Sequence, residues 1–147
     1  MLATVLFLHS ILRWAVLLAA GWATLAAMQG GGAGRSWTRR ARVPGVALAA
    51  VADLQLLLGL SLWLGLSPFA VTRGLGSHYW TLAHPLLGIT VVVLVHAGSV
   101  LVRRKLDDAA RWRTAGRFYG AALAVAVLAV PWPFLSMGRS LLPRLPF

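Results

Sequence analysis

The chain has 147 residues, of which 59% are hydrophobic and only 12% are charged, and its formal net charge is +11 at neutral pH. A mean hydropathy of +0.78 lies outside the range of water-soluble domains and indicates a membrane protein. The chain has no cysteine, which excludes disulfides, thiolate chemistry, iron–sulfur clusters and cysteine-attached haem. The basic residues flank apolar segments, so the charge does not indicate nucleic-acid binding.

Four apolar segments predict an all-α fold, in which residues 1–147 form a single integral membrane domain. The expected transmembrane helices run up, down, up and down over residues 3–27, 46–66, 81–102 and 117–134. The first three have the roughly 20 apolar residues that cross a bilayer, whereas the fourth reaches this length only if its end lies in the interface. We interpret the first segment as a retained helix, because it has no basic start and already contains His9 and Arg13.

Basic residues are unequally distributed between the two ends of such a bundle. One end, side B, holds the first and third loops with ten basic residues: Arg35, Arg39, Arg40, Arg42, Arg103, Arg104, Lys105, Arg111, Arg113 and Arg117. The opposite end, side A, holds both termini and three basic residues: Arg73, Arg139 and Arg144. The positive-inside rule therefore predicts a bacterial inner-membrane protein with cytoplasmic basic loops and both termini in the periplasm.

Ionisable side chains inside apolar spans indicate functional positions by default. At about 1.5 Å per residue, His84 lies roughly 5 Å and His9 roughly 10 Å from side A, so two imidazoles on different helices share a similar depth. Two imidazoles that face each other are what a six-coordinate b-type haem needs. We predict that His9 and His84 are axial ligands of haem b. The alternative is that both are interfacial residues that bind headgroups or water.

Arg13 and Gly88 extend this predicted site. Arg13 lies one turn deeper than His9 on the same face, where it could pair with a haem propionate or with Asp53, or form an ion pair that only fixes helix register. Gly88 lies one turn below His84 and would open that face for the macrocycle. Asp53 and Gln55 are about 200° apart around their helix, so we expect them to face different neighbours.

His96 does not support a second haem. It points about 120° away from His84, and no other histidine lies at its depth. We expect a hydrogen-bonded interior residue, with a single ligand to a haem or to (bacterio)chlorophyll magnesium as the weaker alternative. A quinone or proton site at Asp53 and His96 is weaker still. No catalytic residues are predicted, because the chain lacks a nucleophile constellation.

Four motifs occur in order along the chain: residues 8–14 (Leu-His-Ser-Ile-Leu-Arg-Trp), 53–59 (Asp-Leu-Gln-Leu-Leu-Leu-Gly), 84–86 (His-Pro-Leu) and 131–133 (Pro-Trp-Pro). Together they resemble a family of small bacterial four-helix membrane proteins usually labelled as b-type cytochromes, over essentially the whole chain. The resemblance implies a bundle that binds haem and transfers electrons. Members often have histidine where this chain has Asp53, which leaves open a scaffold that has kept the fold and lost the cofactor.

Two functions follow from these observations. The first is a b-type cytochrome-like carrier with one haem near the periplasmic face, which passes electrons from a quinol or membrane dehydrogenase to a periplasmic acceptor. The alternative is an accessory subunit of a larger respiratory or photosynthetic complex, either cofactor-free or binding pigment or lipid. In both cases the expected partners are the lipid bilayer and subunits of a membrane complex, and a stand-alone enzyme is the less favoured interpretation.

Overall fold

The computed structural model describes residues 2–66 and 78–135. Within these two ranges the chain is helical and has no β-strand, which confirms the predicted all-α class. It forms four α-helices: α1 (Leu2–Gly32), α2 (Val43–Ser61), α3 (His84–Arg104) and α4 (Asp108–Ala129). A 3-10 turn precedes α2 at Arg40–Arg42, and π-helical turns follow α2 at Leu62–Leu66 and precede α3 at Tyr79–Ala83.

The four helices form an antiparallel bundle. α1 packs on α2 and α4, and α3 packs on the same two helices, so α1 and α3 lie diagonally across the bundle. At side B the Trp112 indole, near the start of α4, donates to the carbonyl of Arg35, just after α1 (2.6 Å). At side A the His84 ring, at the start of α3, is bonded to the carbonyl of Ala129, at the end of α4 (2.9 Å). Neighbouring helices therefore alternate in direction, as predicted.

Three helical stretches are long and apolar enough to cross a membrane: Ala3–Gly32, Arg40–Leu64 and Tyr79–Arg104. The fourth helix, for which the sequence predicts a span over residues 117–134, begins at Asp108, ends at Ala129 and is not among these three stretches. Its first half carries Arg111, Arg113 and Arg117, which leaves too short an apolar run for a bilayer. This half of α4 packs instead on the last turns of α1.

Small residues hold the helices close together toward side B. A Cβ on Gly30 would lie 2.5 Å from the Trp112 ring, and a Cβ on Gly98 would lie 2.6 Å from the Cβ of Phe118. The buried core is correspondingly rich in alanine: Ala20, Ala23, Ala27, Ala52, Ala115, Ala122 and Ala126. Such residues let helix backbones approach closely, as they do in membrane bundles.

The end of α1 and the start of α4 are both capped at side B. Gly34 adopts a positive φ of 60°, and the amide of Arg35 donates to the carbonyl of Gly30 at 3.0 Å, which closes α1 in the glycine-dependent manner of a Schellman motif. At the other helix the Asp107 carboxylate accepts a 2.6 Å bond from the amide of Ala110. These caps satisfy backbone groups that a helix end leaves unpaired.

Candidate functional site

His9 and His84 approach each other near side A, from the diagonal helices α1 and α3. Their ring centroids are 6.1 Å apart and the ring planes are inclined by 72°. Both rings line an open, largely apolar cavity of about 190 Å³, and Arg13 and Gly88 line the same cavity. The structure therefore brings the four residues of the predicted haem site together.

A carbonyl at the end of α4 orients the His84 ring. Nδ1 of His84 lies 2.9 Å from the oxygen of Ala129, and the hydroxyl of Tyr79 donates to the same oxygen at 2.9 Å. Because a carbonyl can only accept, Nδ1 donates its proton and Nε2 carries the lone pair. A backbone carbonyl on the second ring nitrogen is the usual arrangement of a metal-binding imidazole.

Two π-helical turns lie beside the His84 ring. Pro85 has no N–H and cannot bond the carbonyl of Thr81 four residues earlier. The indole of Trp63 donates to that carbonyl at 3.1 Å, so the turn after α2 is bonded to the turn before α3. Trp80 packs beside His84 with 5.4 Å between the ring centroids. π-Helical turns occur frequently at functional sites, and here they place aromatic rings around one candidate ligand.

Gly59 and Gln55 position the His9 ring from α2. A Cβ on Gly59 would lie 3.0 Å from Cε1 of His9, so a side chain at this position would press on the ring. One turn earlier the amide nitrogen of Gln55 lies 3.4 Å from Nε2 of His9. Neither residue belongs to the haem site that the sequence predicts. Their spacing of four places them on one face of α2, which is the signal that could have identified them.

Two buried polar atoms on the cavity wall have no hydrogen-bond partner among the residues that the structure describes. They are Nδ1 of His9 and Oε1 of Gln55. Buried polar atoms in folded proteins almost always have a partner, so an exception requires an explanation. A bound molecule with its own polar groups, or water, would satisfy them.

Arg13 does not pair with Asp53, which is one of the alternatives that the sequence leaves for it. Oδ1 of Asp53 accepts instead from Nε2 of His96 at 2.9 Å. Asp53 lies on the side of α2 opposite Gln55, as their 200° separation predicts, and therefore points away from the cavity. Arg13 faces the cavity, and its guanidinium carbon lies 5.4 Å from the centroid of the Trp14 ring.

His96 is hydrogen-bonded, as expected, but it does not lie in the interior. Its side chain is 53% exposed, and that of Asp53 is 45% exposed. The residue is absent from the cavity that His9 and His84 line, because the step of twelve positions from His84 to His96 rotates its side chain to the outer face of α3. The structure thus separates this weak ligand candidate from the other two histidines.

The donor set of the cavity contains two imidazoles, those of His9 and His84. The described parts of the chain contain no group of three or more histidine, cysteine, aspartate or glutamate residues that could hold a metal ion. A haem brings four nitrogen ligands of its own and needs only two axial ligands from the protein. No family model, curated protein or solved structure matches the chain.

Proposed function

We propose that the chain is a membrane b-type cytochrome-like electron carrier that binds one haem b near side A, with His9 and His84 as axial ligands. The observation that carries this proposal is the pair of imidazoles on diagonal helices, 6.1 Å apart between centroids. An iron between two ring nitrogens needs them about 4 Å apart, which places the ring centroids about 6 Å apart.

The other residues that line the cavity also suit a bound haem. The cavity of about 190 Å³ is open, so a planar ring wider than its enclosed part can extend beyond it. Gly59 and Gly88 remove side-chain bulk on two helices. Arg13 supplies a cation that suits a propionate. When bound, a haem would supply one-electron iron chemistry.

The chain's own groups would orient the ligands and exclude water. The bond from Nδ1 of His84 to the Ala129 carbonyl fixes the tautomer and makes the imidazole a stronger base. The hydroxyl of Tyr79 donates a second hydrogen bond to the Ala129 carbonyl. Apolar side chains such as Leu56 and Val91 form the remaining walls, and a dry wall lowers the local dielectric around any bound cofactor.

A difference spectrum tests the proposal. We expect the purified protein, reduced minus oxidised, to show the α-band of a b haem. His9→Ala and His84→Ala should each abolish the six-coordinate spectrum, whereas His96→Ala, the matched control on the outer face, should retain it. A wild-type protein without this band, after expression with haem supplied, would contradict the proposal.

The same proposal includes the compartment and the orientation. Ten basic residues on side B support a bacterial inner-membrane location with cytoplasmic basic loops and periplasmic termini. Because the chain has no cysteine, the Ser36→Cys and His78→Cys variants each carry a single cysteine. The first lies at side B and the second at side A. A membrane-impermeant maleimide added to intact spheroplasts should label residue 78 and not residue 36. The opposite labelling pattern would reverse the orientation.

A second candidate function is an accessory subunit of a larger respiratory or photosynthetic complex, cofactor-free or with pigment or lipid in the cavity. The exposed Asp53–His96 pair favours it, because polar groups on the outside of a membrane bundle suit a protein neighbour. Native gels of mildly solubilised membranes should then show the chain within a large assembly without a haem band. A stable, monodisperse, haem-loaded protein purified alone would contradict it.

A further inference from the structure

The outer face of α4 changes from basic to apolar along its length. Five exposed residues recur on it every three or four positions and define what we call the α4 stripe: Arg113, Arg117, Ala121, Ala124 and Leu128. This spacing places them on one side of the helix, turned away from the bundle. The stripe begins with two cations at side B and then extends as apolar surface for about 17 Å toward side A.

The change from basic to apolar occurs at the level where α2 begins. The hydroxyl of Tyr119 lies directly against Gly45, in the first turn of α2. Because helical side chains tilt toward the start of their helix, this contact places Arg117 close to the level of Gly45. Exposed apolar side chains of α2 also begin here, with Val43 and Val46. The hydrocarbon of a bilayer that the chain crosses therefore begins near this level, and Arg117 lies at its edge.

The two cations of the α4 stripe are not neutralised by acidic side chains of the chain itself. The whole chain has only three acidic residues, and each has another partner. Asp53 is bonded to a histidine, Asp107 caps the start of α4, and Asp108 pairs with a different arginine. Within residues 2–66 and 78–135, neither Arg113 nor Arg117 forms an ion pair. The negative charge that balances them must come from another molecule.

We propose that the α4 stripe binds an anionic phospholipid of the leaflet at side B, with its phosphate group on Arg113 and Arg117 and an acyl chain along the apolar part. Guanidinium groups form strong paired hydrogen bonds with phosphate oxygens, and basic residues beside a membrane-spanning segment attract anionic lipids. A free phosphate ion would use only the basic half of the stripe, whereas a phospholipid matches both halves. The stripe faces away from the cavity, so this proposal does not depend on haem.

Native mass spectrometry of the full-length chain in detergent tests the proposal, with phosphatidylglycerol and phosphatidylcholine of identical acyl chains as probes. Arg113→Gln combined with Arg117→Gln should lower the affinity for phosphatidylglycerol about ten- to thirtyfold and leave that for phosphatidylcholine unchanged. The matched control removes two charges from the loop between α1 and α2, by Arg35→Gln combined with Arg39→Gln. It should lower the affinity for phosphatidylglycerol less than about threefold, because the loss of charge is equal but lies outside the stripe.

Two measurements on the unmodified chain complete the test and do not depend on the folding of a variant. Raising ammonium acetate from about 0.1 M to about 1 M should weaken the binding of phosphatidylglycerol but not that of phosphatidylcholine, because salt screens charges. Inorganic phosphate at the same concentration as the lipid should not displace phosphatidylglycerol. Equal affinity for the two lipids, displacement by inorganic phosphate, no effect of the double variant at residues 113 and 117, or an equal loss in the loop control would each overturn the proposal.

Discussion

The two ends of the bundle are packed in different ways. Toward side B, the Trp112 and Phe118 side chains lie directly on glycines of neighbouring helices, Gly30 and Gly98, with no space left between them. Toward side A, His9 and His84 border an open cavity in which two polar atoms have no hydrogen-bond partner within residues 2–66 and 78–135. The same four helices are thus filled at one end and left open at the other.

From this difference we expect stability to depend mainly on contacts at side B, whereas the proposed ligand site lies at side A. Contacts at side B fix the helix positions through close backbone approach, so we expect most of the free energy of unfolding to depend on them. At side A, some polar side-chain atoms of the described residues lack hydrogen-bond partners, which lowers the free energy of unfolding. The open cavity there leaves room for a ligand. Matched substitutions at the two ends should therefore have unequal effects on unfolding.

The largest expected effect is the loss of the Trp112 side chain. Trp112 is 6% exposed and donates to the Arg35 carbonyl, so Trp112→Ala should lower the free energy of unfolding by about 3–5 kcal/mol. Trp80→Ala, at the open end, should cost about 1–2 kcal/mol because Trp80 is only partly buried. Reversible unfolding in mixed micelles measures both. Equal losses of unfolding free energy in the two variants would contradict the proposed difference in packing between side A and side B.

A pair of glycine substitutions should give the next largest difference. A Cβ at Gly98 would clash with Phe118, whereas a Cβ at Gly88 would approach only Leu56, at 4.0 Å. Gly98→Ala should therefore cost about 1–3 kcal/mol of unfolding free energy, and Gly88→Ala should be neutral or stabilise α3 by up to about 1 kcal/mol. The same unfolding assay compares them, and a destabilising Gly88→Ala would show that side A is also closely packed.

Gly59→Ala should affect ligand binding more than folding. The new Cβ would push on the edge of the His9 ring, which should weaken haem binding about tenfold, equivalent to roughly 1.4 kcal/mol. The free energy of unfolding of the haem-free protein should change by less than about 1 kcal/mol. Titration of the apoprotein with haem gives the affinity. An unchanged affinity would indicate that His9 does not bind the iron.

Tyr79→Phe should have the smallest effect. It removes one of two hydrogen bonds to the Ala129 carbonyl and leaves the His84 bond in place, so the loss should be about 0.5–1.5 kcal/mol of unfolding free energy. The haem α-band should remain. If the band disappeared, the orientation of His84 would depend on Tyr79 and not on the Ala129 carbonyl alone.

Helical spacing in the sequence was sufficient to predict which residues of one helix share a face, but not every residue of the candidate site, since Gln55 and Gly59 were not assigned to it. His9 with Arg13, and the opposite directions of Asp53 and Gln55, follow from that geometry alone. The bond between Asp53 and His96 could not be predicted, because α3 has apolar residues on all sides and its rotation depends on packing against α2 and α4. The bounds of α4 were missed for a related reason: its arginine-rich first half was assigned to a loop, whereas packing of Trp112 against α1 extends the helix.

The Ala129 carbonyl has a consequence for how this chain can vary. Ala129 is the last residue of α4, and the side chains of His84 and Tyr79 both form hydrogen bonds to its carbonyl oxygen. One residue inserted into α4 would turn that carbonyl by about 100° and move it by about 1.5 Å, so both bonds would be lost even if every side chain around His84 were kept. The length of α4 should therefore be more constrained in evolution than the identity of its lipid-facing residues.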